Sequence, residues 1–259
     1  MDKALFGYTI NVPEIDFFSR HMHSGYEILY FIQGEMEITI EGVVYTMRPH
    51  DLFIVRPRSY HYAKAYGTAL YERFVINFDE SELPDVIKDF LKNANVIYSI
   101  PENSPIDMIY QNWRTAIKKF TETELKIFES NIVENILLFL KHMQAETSGV
   151  IKEKNVNLVL ILQYIDEHPK ENLTAAKLAE LFFVSPSWIT HSFQEKLNIG
   201  LKQYVNRKRV LYAQSLIKMG VPVADVSNSC NYENYSTFYR QYHSVTGHSP
   251  RKDIPTVKK

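Results

Sequence analysis

Two short stretches lying 49 residues apart carry side chains suited to reading the edges of nucleic-acid bases. In the first, Ser187, Thr190, His191 and Gln194 recur at i, i+3, i+4 and i+7, so a helix would place them on one face. That face is polar, rich in hydrogen-bonding groups and free of carboxylates, and it suits a major groove. In the second, Ser236, Tyr239, Arg240 and His243 repeat the spacing. Arg240 alone among the eight offers a bidentate fork, the geometry that matches guanine O6 and N7. His191 occupies the equivalent place in the first copy and offers one bond at a time to a base. The two copies are therefore expected to read DNA unequally.

Each face needs a helix to carry it and a core to hold that helix. Ser185 and Asn234 are favoured N-cap residues, and Pro186 suits the first helical position. Ile189 with Phe193, and Phe238 with Tyr242, stand four apart and anchor the opposite faces. A short helix is expected upstream of each copy, over 175–182 and 223–230, with a three- to four-residue turn between. Two helices so joined make a helix-turn-helix, here present twice. A helix over 201–219 links the two units, closed by Gly220 and Pro222. Lys202, Arg207 and Lys208 on it, with the helix N-termini, are assigned to backbone phosphates.

Residues 157–252 resemble the tandem helix-turn-helix domain of AraC/XylS-type transcription regulators. The features matched are Leu178-Ala179, Ser185, Ile189, Phe193, Tyr204, Arg209 and Ala213, then Tyr232, Asn234, Ser236, Phe238, Arg240, Tyr242, Gly247 and Ser249-Pro250. Asn198 and Asn231 stand where the family usually has glycine. Asn tolerates the left-handed backbone such turns require, so the turns are expected to persist. Pro250-Arg251-Lys252-Asp253 lacks the family's aromatic-Arg pair. The resemblance implies double-stranded DNA, a small-molecule effector, a second copy of the chain and RNA polymerase as partners.

Composition supports this division of labour. The chain has 259 residues and a formal net charge of −1, ample length for two domains. Residues 1–154 carry 16 Lys and Arg against 22 Asp and Glu, whereas residues 155–259 carry 13 against 8. Only the second part suits a polyanion. The single cysteine, Cys230, rules out an internal disulfide and is expected to be packed rather than reactive. No apolar leader or membrane-length run is present, so a cytoplasmic protein without membrane contact is expected.

From Leu5 to about Asp79 the hydrophobic period is two. Tyr26 to Ile32, Glu35 to Glu41, Val43 to Met47, Leu52 to Val55, His61 to Tyr66 and Tyr71 to Phe78 read as short strands broken by turns. This stretch resembles a cupin barrel: His21-Met22-His23, Glu27 and Gly34 fit the first cupin motif, and Arg48-Pro49-His50-Asp51 with Pro57 and His61 the second, His50 replacing the usual glycine. In metal-dependent cupin enzymes the two early histidines, the Glu and a later His hold a divalent ion. Regulators of the resembled family retain such residues in a metal-free domain that recognises a small molecule. His21, His23, Glu27 and His61 are accordingly assigned to effector contact, with a small polar metabolite such as a sugar as the effector and no metal or other cofactor expected. The rival reading is a metal-dependent cupin enzyme fused to a DNA-binding module. It finds no separate catalytic constellation: Cys230 has no evident partner base, and no glycine-rich phosphate loop occurs.

Beyond the strands the period becomes helical over 82–94, 107–120 and 123–143. The stripe Leu125, Phe128, Ile132, Ile136 and Phe139 either packs on its own domain or, as the resemblance implies, contributes to a homodimer. The expected organisation is α+β: a cupin-like barrel over 1–80, a helical dimerisation extension over 81–146, a linker over 147–155 and the all-α tandem helix-turn-helix over 156–256, its two motifs joined by the long helix.

Overall fold

A computed structural model describes residues 4–11, 21–66, 70–143, 150–232 and 234–255. It divides into two compact units, 1–153 and 154–259.

Unit 1 contains a five-stranded and a four-stranded sheet. The strands are β1 (Leu5–Asn11), β2 (Tyr26–Gln33), β3 (Glu35–Ile40), β4 (Val43–Thr46), β5 (Asp51–Val55), β6 (His61–Tyr66), β7 (Tyr71–Phe78), β8 (Ile97–Ser99) and β9 (Val150–Lys154). The larger sheet runs β1-β7-β2-β5-β8 and the smaller β6-β3-β4-β9. The turn joining β3 to β4 is the two-residue Glu41-Gly42, at φ 46° and 73°. Positive φ at both residues is what a tight right-twisting hairpin demands.

β2 shows why two sheets form rather than one closed ring. Its first six residues are all buried, so both of its faces are covered. Tyr26, Ile28 and Tyr30 pack with α1 (Asp85–Asn93), α2 (Pro105–Lys119) and α4 (Ile132–His142) through Ile87, Tyr110, Trp113, Ile136 and Leu140. Leu29 and Phe31 face Met36, Ile38 and Ile40 of β3. The expected barrel is therefore two packed sheets with helices over the outer face of the larger one. An isolated antiparallel pairing of His21 with His61 stitches the segment entering β2 to the start of β6.

One expectation for the helices needs correction. The single helix expected over 123–143 is two, α3 (Glu122–Glu129) and α4, because Ser130-Asn131 breaks it and Thr121 caps α3 with a full capping box. β9 also occupies part of the expected linker 147–155, at the edge of the sheet beside β4; Ser148-Gly149, on which that linker rests, lies outside the described residues.

Unit 2 holds α5 (Val156–Glu167), α6 (Ala175–Leu181), α7 (Pro186–Ser192), α8 (Leu201–Lys218), α9 (Val223–Ser229) and α10 (Tyr235–Thr246). Phe193–Leu197 continues α7 as a π-turn, and Pro250–Asp253 forms a final 3-10 turn. α8 supplies Val210, Ala213 and Ile217 to a core completed by Val226, Cys230, Phe238 and Tyr242. Cys230 is buried as expected, and burial pushes its thiol up from the usual range. The final turn is fixed by Asp253, whose Oδ2 accepts from Tyr242 at 2.6 Å and Gln214 at 3.1 Å.

Candidate functional site

The two recognition elements are held by the caps that the sequence offered. Ser185 Oγ accepts from the Trp188 N–H at 3.1 Å, and Asn234 Oδ1 accepts from the Thr237 N–H at 2.8 Å. Ile189, Phe193, Phe238 and Tyr242 are fully buried, and the Phe193 ring meets Tyr204 of α8 edge-on at 5.3 Å. The opposite faces are left outward: Ser187, Thr190, His191, Gln194, Ser236, Tyr239, Arg240 and His243 are all exposed. Tyr239 and His243 stack at 6.3 Å, giving the second face an aromatic strip beside Arg240.

The first face differs from its expected chemistry. Glu195, outside the four residues considered from spacing, places its carboxylate 3.1 Å from His191 Nε2. That face is therefore not free of acid. The π-turn starting at Phe193 widens the helix there, and spacing at i+4 from His191 was the signal that could have found the contact.

The residues assigned to phosphate divide. Lys202 is exposed and Arg207 half-buried, but Lys208 is only 3% exposed. Its Nζ lies 3.4 Å from Asp166 of α5 and 5.5 Å from the centre of the Tyr204 ring. Lys208 is thus an internal tie between α5 and α8, not a phosphate contact. Adjacent helix residues stand about 100° apart, and here that step carries Lys208 onto the face of α8 that packs against α5. Arg209 is likewise structural, donating from Nε to Pro169 O at 3.1 Å and from Nη2 to Glu171 O at 2.8 Å.

Unit 1 gathers His21, His23, Glu27 and His61 as one cluster, their ligand atoms all within 4.8 Å of one another. The segment entering β2 brings the first two, β2 brings Glu27 and β6 brings His61. Glu27 and His61 are buried at 6% and 2% exposure. His23 Nδ1 lies 2.9 Å from Gly25 O, and His61 Nδ1 2.9 Å from Ser59 O. The Nε2 atoms of the same rings lie 3.4 and 3.8 Å from the two Glu27 oxygens. Burial alone would raise the Glu27 carboxyl; the two imidazoles outweigh it and hold the group well below the usual carboxylate range. Three imidazoles and a carboxylate are a donor set that a divalent transition metal accepts, and the two buried Nε2 atoms have no hydrogen-bond partner, so these residues fit such an ion.

A second polar network escaped sequence reasoning because its members are far apart in the chain. Asp107, on the first turn of α2, accepts from the Tyr30 hydroxyl at 2.7 Å, the Asn103 N–H at 2.9 Å and Gln111 Nε2 at 2.6 Å. His50 Nδ1, 2.7 Å from the Tyr30 oxygen, completes it. His50 stands at φ 68°, the left-handed backbone for which glycine is the usual choice.

Comparison with known proteins finds two matching family models. The AraC-like ligand binding domain matches residues 3–121, and a helix-turn-helix domain matches residues 178–253. A probable transcriptional regulator LumQ of Photobacterium leiognathi is 24% identical over 235 residues, 90% of each chain. The uncharacterized HTH-type transcriptional regulator YijO of Escherichia coli (strain K12) is 33% identical over 91 residues, which are 35% of this chain and 32% of that protein. Among solved structures, ToxT from Vibrio cholerae aligns over 95% of this chain and 97% of its own, with a TM-score of 0.41 and 11% identity.

Proposed function

Since the chain belongs to the AraC family of DNA-binding transcription regulators, we propose that α7 and α10 read base edges in successive major grooves of one operator, under the control of a small molecule bound by unit 1. The observation that carries this reading is the equivalence of the two outward faces. Eight polar side chains on two capped helices, at one constant offset, are all exposed, while their apolar partners are all buried. α8 has 18 residues, a rod of about 27 Å at ~1.5 Å per residue. That is close to the ~34 Å groove repeat of DNA, so α8 acts as the spacer between the two reading heads. Lys202 and Arg207 meet phosphates.

His21, His23, Glu27 and His61 form the effector site, and the effector is a small polar metabolite such as a sugar. The chain works as a homodimer in the cytoplasm, contacts RNA polymerase once on DNA, and is a regulator rather than an enzyme. The kind of relatives found, regulators throughout, supports this over the cupin-enzyme alternative. Selection of duplexes from a randomised pool by the full chain is the test. Enrichment of two short conserved blocks about 10 base pairs apart is expected; enrichment of one block alone, or of none, overturns the two-headed reading.

A further inference from the structure

A helix with its side chains is about 10–12 Å across, and the major groove is about 12 Å wide. A helix seated in the groove therefore turns its flanks toward the phosphates that wall it. Thr237 and Gln241 each follow a residue of the outward face of α10, Ser236 and Arg240, by one step of about 100°. That step carries them to the flank beside α8, where they are half-buried and line a cleft of about 800 Å³. Lys202, Asn206 and Arg209 of α8 line it too, with Tyr232 from the turn before α10. Among the described residues the lining holds no carboxylate.

The cleft is electropositive, and its donors are held in place. Arg209 donates to two backbone carbonyls and lies 5.7 Å from the centre of the Tyr232 ring. Among the described residues no carboxylate pairs with it, so this bracing leaves its positive charge to act on the cleft. Lys202, exposed, adds a second charge. Asn206 Nδ2 donates to Gln241 Oε1 at 2.7 Å, and Asn206 Oδ1 accepts from the Tyr232 hydroxyl at 3.4 Å. These bonds hold the Gln241 amide with its carbonyl toward α8 and leave the two Nε2 hydrogens for another acceptor. Two cations beside a fixed amide donor select an anionic acceptor, which on DNA is a phosphate oxygen.

We infer that this cleft seats a phosphate of the DNA backbone between the two major grooves, with Gln241 as its donor and Asn206 as the residue that positions Gln241. The inference rests on the reading of α10 as a groove-entering helix and adds a backbone contact between the two reading heads. Such a contact fixes the register of α7 and α10 on one duplex and strengthens binding to every sequence alike. Because Gln241 is neutral, it does so without releasing a counterion.

The test measures duplex affinity of the full chain while a single uncharged methylphosphonate linkage is moved along the backbone of the selected operator. At one linkage between the two blocks the wild-type chain should lose about tenfold, as it would on losing a hydrogen bond to a charged group, and Gln241→Ala should lose much less. Gln241→Ala itself should bind cognate and mismatched duplexes about tenfold more weakly with an unchanged salt slope, whereas Lys202→Ala should flatten that slope. Asn206→Ala should lose as much as Gln241→Ala, and the double variant no more than either alone. Gln241→Glu keeps an acceptor for Asn206 but sets a carboxylate against the phosphate, so it should bind more weakly still at an unchanged urea midpoint. Wild-type affinity of Gln241→Glu, or equal losses by the wild-type chain and Gln241→Ala at every modified linkage, overturns the inference. A duplex carrying one block reads the same backbone contact, so failure of the two-headed reading is told apart from failure of this one. A chain that binds no duplex overturns both.

Discussion

Arg240 and Arg207 differ in what their loss should do, although both are cationic residues of unit 2. Arg240 is exposed on the face of α10 that the proposed function assigns to base reading, so Arg240→Ala should cost about 1–3 kcal/mol and relax preference at one base pair. Arg207→Ala should weaken all sequences alike and flatten the salt slope by about one unit. Titration on cognate and mismatched operators at two salt concentrations distinguishes them, and exchange of the two behaviours would show the faces to be misassigned. Lys208→Ala should behave unlike either. Its ammonium pairs with Asp166 inside the unit, so the variant should lose about 1–3 kcal/mol of stability in urea while folded molecules keep their operator affinity. Asp107 gives a pH prediction in unit 1. Burial opposes its charge, but hydrogen bonds from Tyr30, Asn103 and Gln111 hold its carboxyl below the usual carboxylate range. With the folded value lowered, this stabilisation is complete above the unfolded carboxylate range and is lost as pH falls through the folded one. Asp107→Asn should therefore destabilise unit 1 by about 1–3 kcal/mol near neutrality and flatten its acid unfolding profile. A variant that melts like wild type at pH 7 would contradict this.

At the level of elements, the two helix-turn-helix units solve the same geometric problem with different residues. α6 and α9 both end in a left-handed residue two positions past their last helical residue: Phe183 at φ 54° and Asn231 at φ 57°. Asn suits that backbone, whereas a bulky aromatic residue pays ~1–2 kcal/mol there. Phe183 is also 96% exposed, so its ring gains little in return. Phe183→Gly should stabilise unit 2 by roughly 1 kcal/mol, read as a higher urea midpoint; a lower midpoint would mean that the ring makes contacts in solution that matter. The helices α7 and α10 close similarly, with Asn198 at φ 51° and Gly247 at φ 75° standing 49 residues apart. Only the first is reached through a π-turn, so the repeat preserves the ends of the helices better than their interiors.

At the scale of the whole molecule, the helical extension turns most of its apolar stripe inward. Ile132 and Ile136 are buried against α2 and the larger sheet, and Leu125 and Phe128 pack on the same core. Phe139, at 44% exposed, remains outside with Leu138. Ile127 of α3 and Phe120 are exposed as well, so a homodimer built on this extension has these four side chains to draw on. Sedimentation at micromolar concentration should show a dimer that Phe139→Glu shifts toward monomer; a strictly monomeric chain would remove the homodimer from the proposed function. No helix among the described residues is long and apolar enough to cross a membrane.

The sequence by itself determined the elements whose causes are local. Capping residues, four-residue apolar spacing and a 49-residue repeat located α7 and α10 and marked eight polar side chains as outward, where all eight are exposed. Asn198 and Asn231 were legible as left-handed turns for the same reason, since backbone preference is a property of one residue. Alternation likewise marked β6 and β7 at their observed ends. Tertiary structure alone decided whatever depends on a neighbour distant in the chain. Spacing puts Lys208 beside Arg207, but only the packing of α5 on α8 makes it an internal cation. Period two identifies strands without saying whether they close into a ring; helices covering one face of β2 decided for two packed sheets. Asp107 and Tyr30 are 77 residues apart, and nothing local announces their bond. The four polar residues of unit 1 were visible as a motif, and the carbonyls of Gly25 and Ser59 that meet the His23 and His61 rings lie only two residues away. What brings the four together is the approach of two sheets, which no stretch of sequence encodes on its own.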